Sequence, residues 1–151
     1  MPQLKSKSVK ILALGQKLFE EKTRAIGFSI KHIGSEGVTA EMSITSEIKG
    51  FGPAKGVEGK NMGTMNDLRG PSGIGGGTGQ GIITTNDGDM VIWKMMYSRK
   101  TAGKEKYVGV ITFMTISKKL AWLNNIICAT EGEGSPDINQ GGINTIYEWI
   151  P

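Results

Sequence analysis

Among the side chains that ordinarily carry chemistry, the chain holds one histidine, His32, and one cysteine, Cys128. A Ser-His-Asp or Cys-His arrangement would have to run through His32. His32 falls in an alternating run with Ile26, Phe28 and Ile30. It therefore reads first as a hydrogen-bonded histidine of the core or barrel end, with a catalytic or ligand role as the alternative. Cys128 follows Ile126 and Ile127 and reads as a small buried apolar group rather than a nucleophile. One histidine and one cysteine cannot build a zinc site of ordinary spacing. Asp87-Gly88-Asp89 lacks the other acceptors of a calcium loop and reads as a turn. Neither a metal nor a cofactor is implied.

Paired carboxylates are the remaining acid–base option. Glu41 and Glu47 share the polar face of one alternating run, which places them on the outside of a sheet by preference. Were that face to line an interior, Glu41 would be a desolvated acid fit for general-base duty. The Gly73 to Gly81 stretch contains no phosphate-loop pattern and runs into a strand-like segment, so no helix N-terminus receives a phosphate. Ser46-Glu47-Ile48-Lys49 matches Ser-x-x-Lys, but it ends a strand, where the penicillin-recognising motif needs a helix.

The elements that must position these groups show a period of two. From Ala25, Ile26, Phe28, Ile30 and His32 alternate with polar or small residues. After Gly34-Ser35-Glu36-Gly37, Val38, Ala40, Met42, Ile44 and Ile48 take one face. This predicts a hairpin, and pairing Ile33 with Thr39 would set Lys31 opposite Glu41. Residues 49–81 hold 12 glycines and are expected to form a broken strand over 59–67 and a tight loop through Gly70 to Gly77. Gly79 to Thr85 and Asp89 to Tyr97 flank Asn86-Asp87-Gly88, a strong hairpin signal. Parity there sends Val91, Trp93 and Met95 inward. Strands are expected over 107–116 and 120–129, then a loop over 131–142. A closing strand over 143–150 is expected to carry Tyr147 and Trp149 inward and Glu148 outward. Residues 1–24 read as an N-terminal extension, with Val9 to Leu18 a short helix or Leu18 to Thr23 already a strand. Residues 25–151 read as a single domain.

The total is an all-β chain of about eight closely spaced strands, a sandwich or small antiparallel barrel. At 151 residues with 23 glycines and 5 prolines, the chain suits a single folded domain whose glycines serve turns and close approaches. The formal charge of +4 is dispersed. Its denser tracts, Lys5, Lys7, Lys10 and Arg99, Lys100, Lys104, Lys106, read as solvated surface, and no stacking-aromatic motif accompanies them. Nucleic acid is not an expected partner, nor is a membrane, since no apolar run near the N-terminus is long enough for a span. A lone cysteine fits a reducing compartment, and the expected location is cytoplasmic.

Gly77-Thr78-Gly79-Gln80-Gly81, Thr84-Thr85-Asn86-Asp87-Gly88-Asp89 with Trp93-Lys94, Phe113 to Asn124 and Tyr147-Glu148-Trp149 form a pattern. So do Gly27 to Lys31 and Glu47 to Gly52. Over residues 25–150 this pattern resembles uncharacterised prokaryotic proteins of the allene oxide cyclase-like barrel group. The resemblance implies an eight-stranded, calycin-like antiparallel barrel and a homo-oligomer. It also implies work by enclosure and positioning of a hydrophobic molecule. No catalytic residue of that group maps onto this chain.

The resulting expectation is a barrel that holds a small apolar ligand against Phe28, Met42, Trp93, Met95, Tyr147 and Trp149. One alternative is a cyclase or isomerase acting by positioning, with Glu41 or His32 as its candidate group. The other is an oligomeric assembly or interaction protein.

Overall fold

The computed structural model describes residues 14–134 and 141–151. Eight antiparallel strands run β1 Leu14–Gly34, β2 Gly37–Gly50, β3 Glu58–Arg69, β4 Ile74–Thr85, β5 Met90–Ala102, β6 Lys104–Met114, β7 Ile127–Gly134 and β8 Gly142–Trp149. Each pairs with the next, and β8 pairs with β1, so the sheet closes into an up-and-down barrel. Closure leaves no edge strand over the paired lengths. Pairing partners followed once round the wall from Val38 run through Arg69, Gly75, Arg99, Tyr107, Gly132, Asn144 and Glu21. They return to β2 at Ile48, ten residues further along the strand. Such a stagger requires strands tilted by roughly 40° and an interior wide enough to be filled or to hold one small ligand.

The expected alternation sets the faces. Ala40, Ile44, Ser46 and Ile48 of β2 are buried, as are Val91, Trp93 and Met95 of β5. The Asn86-Asp87-Gly88 turn joins β4 to β5, with Gly88 N–H bonded to the Thr85 carbonyl and a φ of 87° that favours glycine. Four inward positions of β4, at Gly75, Gly77, Gly79 and Gly81, bear no side chain. Space over Gly63, Gly79 and Gly81 is taken by the Trp93 indole, and a Cβ on Gly81 would lie 2.6 Å from that ring and 2.3 Å from the Met62 carbonyl oxygen. Gly81→Ala is therefore expected to cost about 2 kcal/mol by overpacking. Gly27→Ala, whose added Cβ would meet Ser43 at 3.7 Å, should stay within about 0.5 kcal/mol of wild type. Urea midpoints of the two variants check this, and equal midpoints would refute it.

One barrel end is plugged. The connections at 50–57 and 115–126 fold over it, burying Ala54, Leu120 and Leu123 against Leu18, Phe19, Ile83, Val91, Phe113 and Ile146. Phe19 and Phe113 meet edge to face at 5.8 Å.

Several expectations are corrected. Strand β1 begins by Leu14, so residues 14–24 form barrel wall rather than an extension; the part of the Val9 to Leu18 helix before Leu14 lies outside the described residues. Bulges at Ile26 and Lys31 shift the first hairpin, so Ile33 pairs with Val38 and Ser29, not Lys31, sits opposite Glu41. The loop expected from Gly70 to Gly77 closes by residue 73. Residues 121–125 form a 3-10 turn instead of a strand. There Asn124 accepts from the Thr115 N–H at 2.8 Å and donates to the Thr115 carbonyl at 3.0 Å, standing in for a strand partner. The loop expected at 131 is still β7 through Gly134. No described helix is long and apolar enough to cross a membrane.

Candidate functional site

Above the plug the barrel contains a cavity of about 360 Å³ that reaches toward the opposite end. Its apolar wall comes from Met42 and Ile44 of β2, Met65 of β3, Trp93 and Met95 of β5, and Ile111 of β6, with Phe28 near the mouth. Each is an inward position of an alternating strand, so the apolar wall is a direct consequence of the period of two.

Its polar groups form two clusters. Nearer the plug, Glu21 of β1 is buried, and Ser46 Oγ donates to Glu21 Oε2 at 3.2 Å. Burial raises the Glu21 carboxyl from the usual 4.5 to about 7, against hydrogen bonding from Ser46, Asn144, Asn61 and Thr23. Trp93 Nε1 donates to Asn61 Oδ1 at 2.6 Å, and Thr130 Oγ1 donates to Asn144 Oδ1. Both carboxamide oxygens are thus engaged, which turns the two NH2 groups toward the Glu21 carboxyl. Thr23 Oγ1 is buried close to this cluster without a well-aligned hydrogen bond.

Toward the mouth, Asp67 of β3 accepts four hydrogen bonds. Arg99 of β5 grips it in bidentate fashion at 2.7 and 2.8 Å, Tyr97 Oη donates at 2.6 Å and Arg69 Nε at 3.2 Å. Glu105 Oε1 of β6 lies 3.0 Å from Arg69 and 3.1 Å from Arg99. It is an ion partner by distance, yet no N–H points along its lone pairs. Tyr107 packs edge to face on Tyr97 at 5.9 Å. Its phenol crosses Gly132, where a Cβ would come within 2.3 Å of Oη. Burial, then the carboxylates of Glu21 and Glu105, hold the Tyr107 hydroxyl protonated far above neutrality. No hydrogen bond to another described residue engages that hydroxyl.

Four of the six residues expected to bind a ligand line this cavity: Phe28, Met42, Trp93 and Met95. Tyr147 and Trp149 do not. Ile146 takes the interior beside Phe19, so Tyr147 points outward, and Glu148 faces Cys128 at the barrel rim, where a carboxylate reaches water. His32 is exposed on the part of the first hairpin that extends beyond β8, and its bulge-shifted parity sets it opposite Thr39 on the outer face. Glu41 and Glu47 also lie on the outer face, away from the cavity, as their polar face suggested. Cys128 is buried, and burial followed by Glu148 raises its thiol to about 12, so it is inert. Among the described residues no group of His, Cys, Asp or Glu is arranged to hold a metal.

The sequence reading missed Glu21, Asn61, Asp67, Tyr97, Arg99 and Tyr107. Parity carried two residues past Met95 reaches Tyr97, and two more reach Arg99, so β5 held the signal. Arg99 was instead grouped with Lys100, Lys104 and Lys106 as solvated surface; the lysines are exposed and Arg99 is buried. The tract at Lys5, Lys7 and Lys10 lies outside the described residues.

No family model and no curated protein matches this chain. Solved structures share its fold. A protein of unknown function from Clostridium acetobutylicum superposes with a TM-score of 0.78 at 16% identity, covering 94% of this chain and 99% of that one. A β-barrel-like protein from Acinetobacter baumannii does so with a TM-score of 0.74 at 15% identity, covering 92% and 96%. An enzyme from Penicillium herquei gives 0.68 at 20% identity, covering 92% and 95%. At these identities the likeness concerns the barrel fold alone.

Proposed function

We propose that the barrel binds one small, neutral, largely apolar molecule in its interior. The observation that carries this reading is the cavity of about 360 Å³, open at one end and walled in part by Met, Ile and Trp side chains of the strands. Its charges support a neutral ligand. Arg24, Arg69 and Arg99 line it together with Glu21, Glu105 and Glu133, and Asp67, buried outside the lining, binds Arg69 and Arg99. Below about pH 7, with Glu21 protonated and Asp67 counted as the partner of Arg69 and Arg99, three cations are balanced by three anions.

The neutral fluorophore N-phenyl-1-naphthylamine tests the reading. It is expected to bind one per chain, with enhanced emission. Ala25→Phe, which fills the cavity from the mouth side, should weaken binding at least tenfold, about 1.4 kcal/mol. Ile82→Lys, on the exposed outer wall, should not change it. Equal affinities for both variants would locate the probe elsewhere and end the proposal.

A second reading, an isomerase or cyclase that positions a hydrophobic substrate, is favoured by one observation. Glu21 is a buried ionisable carboxyl among neutral polar side chains at the plugged end of the cavity. The similarity to the allene oxide cyclase-like group and the barrel shared with an enzyme from Penicillium herquei are consistent with it.

A further inference from the structure

The polar cluster near the plug is arranged to meet a particular functional group. The Asn61 and Asn144 NH2 groups and the Thr23 hydroxyl converge on one carboxyl, Glu21, while the Tyr107 hydroxyl has no acceptor among the described residues. The unpaired Tyr107 donor calls for a ligand that brings an acceptor oxygen. The apolar wall calls for a carbon body, and the balanced charges disfavour a net ionic group. A ketone or another neutral carbonyl compound meets all three conditions.

Glu21 and Tyr107 enter this space from different sides. Glu21 comes from β1. Tyr107 comes from β6, and the missing side chain at Gly132 lets its ring lie across β7 toward β1. Both line the same cavity, and no hydrogen bond joins the two among the described residues. We propose that Glu21 and Tyr107 form an acid–base site that moves a proton on a neutral carbonyl compound held in the barrel. This rests on the ligand-binding reading above.

The step balances without an oxidant or co-reactant. The Glu21 carboxylate takes a proton from the carbon next to the carbonyl. The C–H electron pair becomes a C=C bond, and the carbonyl π pair moves to oxygen. The Tyr107 hydroxyl donates a hydrogen bond to that oxygen and keeps its proton. The Glu21 acid then returns the proton. Return to the same carbon exchanges hydrogen with solvent, and return to a vinylogous carbon shifts the double bond. The other ionisable groups facing the cavity are Arg24 on β1, Arg69 on β3, Tyr97 and Arg99 on β5, Glu105 on β6 and Glu133 on β7, with Asp67 of β3 buried against Arg99 outside the lining. The lining parts of β2 and β8 bear none.

The test uses 2-tetralone, an apolar bicyclic ketone with acidic α-hydrogens. Its α-hydrogen exchange in deuterated buffer is followed by NMR, and its binding by displacement of N-phenyl-1-naphthylamine. Wild type should accelerate exchange over buffer, with a rate that rises through an apparent pKa near 7 as Glu21 ionises. Glu21→Gln should displace the fluorophore equally well but lose at least a hundredfold in exchange rate. Tyr107→Phe should bind, lose roughly 10- to 100-fold, and keep the pH profile. Displacement with exchange at the buffer rate, or undiminished exchange by Glu21→Gln, overturns the acid–base site alone. A fluorophore that binds but is not displaced overturns the ketone class. A fluorophore that does not bind overturns the ligand-binding reading itself.

Discussion

Asp67→Ala is expected to lower the stability of the barrel by about 3–5 kcal/mol. The reason lies in what the carboxylate leaves behind. Asp67 is 1% exposed and Arg99 6%, so removing the acid strands a guanidinium inside the wall with only an off-line carboxylate, Glu105, beside it. It also removes the acceptor of the Tyr97 hydroxyl, a buried donor whose loss of a partner costs about 1–3 kcal/mol by itself. Replacing both charges by apolar groups should avoid most of the loss, because a buried ion pair gains little over well-packed hydrophobic residues. Asp67→Leu combined with Arg99→Met and Tyr97→Phe is therefore expected to be much closer to wild type than Asp67→Ala alone. Urea unfolding of the two proteins measures this, and for a chain of this size the single variant should melt on the order of 10 °C lower. A loss below about 1 kcal/mol would show that the network is solvated rather than structural.

The second large effect depends on pH. Glu21 is raised from 4.5 in the unfolded chain to about 7 in the barrel. A carboxyl whose folded pKa lies above its unfolded one binds its proton more tightly when folded. Its contribution is therefore fully present below pH 4.5 and is lost as the pH rises through 7. A rise of roughly 2.5 units corresponds to about 3 kcal/mol. Glu21→Gln keeps the shape and removes the titration. The stability of the variant relative to wild type should therefore move in its favour by about 3 kcal/mol between pH 4 and pH 8. Comparing the two proteins at both pH values cancels the titrations they share, and an unchanged difference would mean that Glu21 is not held in a desolvated place. If the effect is found, the barrel carries at neutral pH a residue that destabilises it, as sites built for chemistry commonly do.

Much of the wall was legible without the structure. Alternation over Val38 to Ile48 and Val91 to Met95 told inside from outside correctly, because one face of a wall strand is dry and a period of two is a property of the backbone. The Asp87-Gly88 turn was legible because its backbone demand is local. Parity in β6 was not legible: Tyr107, Ile111 and Phe113 go in while Val108, Val110 and Met114 remain exposed outside, and both sets are apolar. Parity in β8 was misread because a carboxylate was assigned to water. Glu148 satisfies that rule at the rim while still facing inward.

The sequence alone therefore determined an antiparallel β protein with its hairpins and most of its apolar lining. Only the tertiary structure decided the closure of β1 onto β8, the two bulges that carry His32 outside, and the meeting of Glu21 with Asn61, Asn144 and Tyr107. The physical reason is one of range. Strand period and turn chemistry are settled between near neighbours, whereas the ten-residue stagger round the barrel is a property of all eight strands at once, and it is this stagger that brings residues from β1, β3, β6 and β8 to one buried carboxyl.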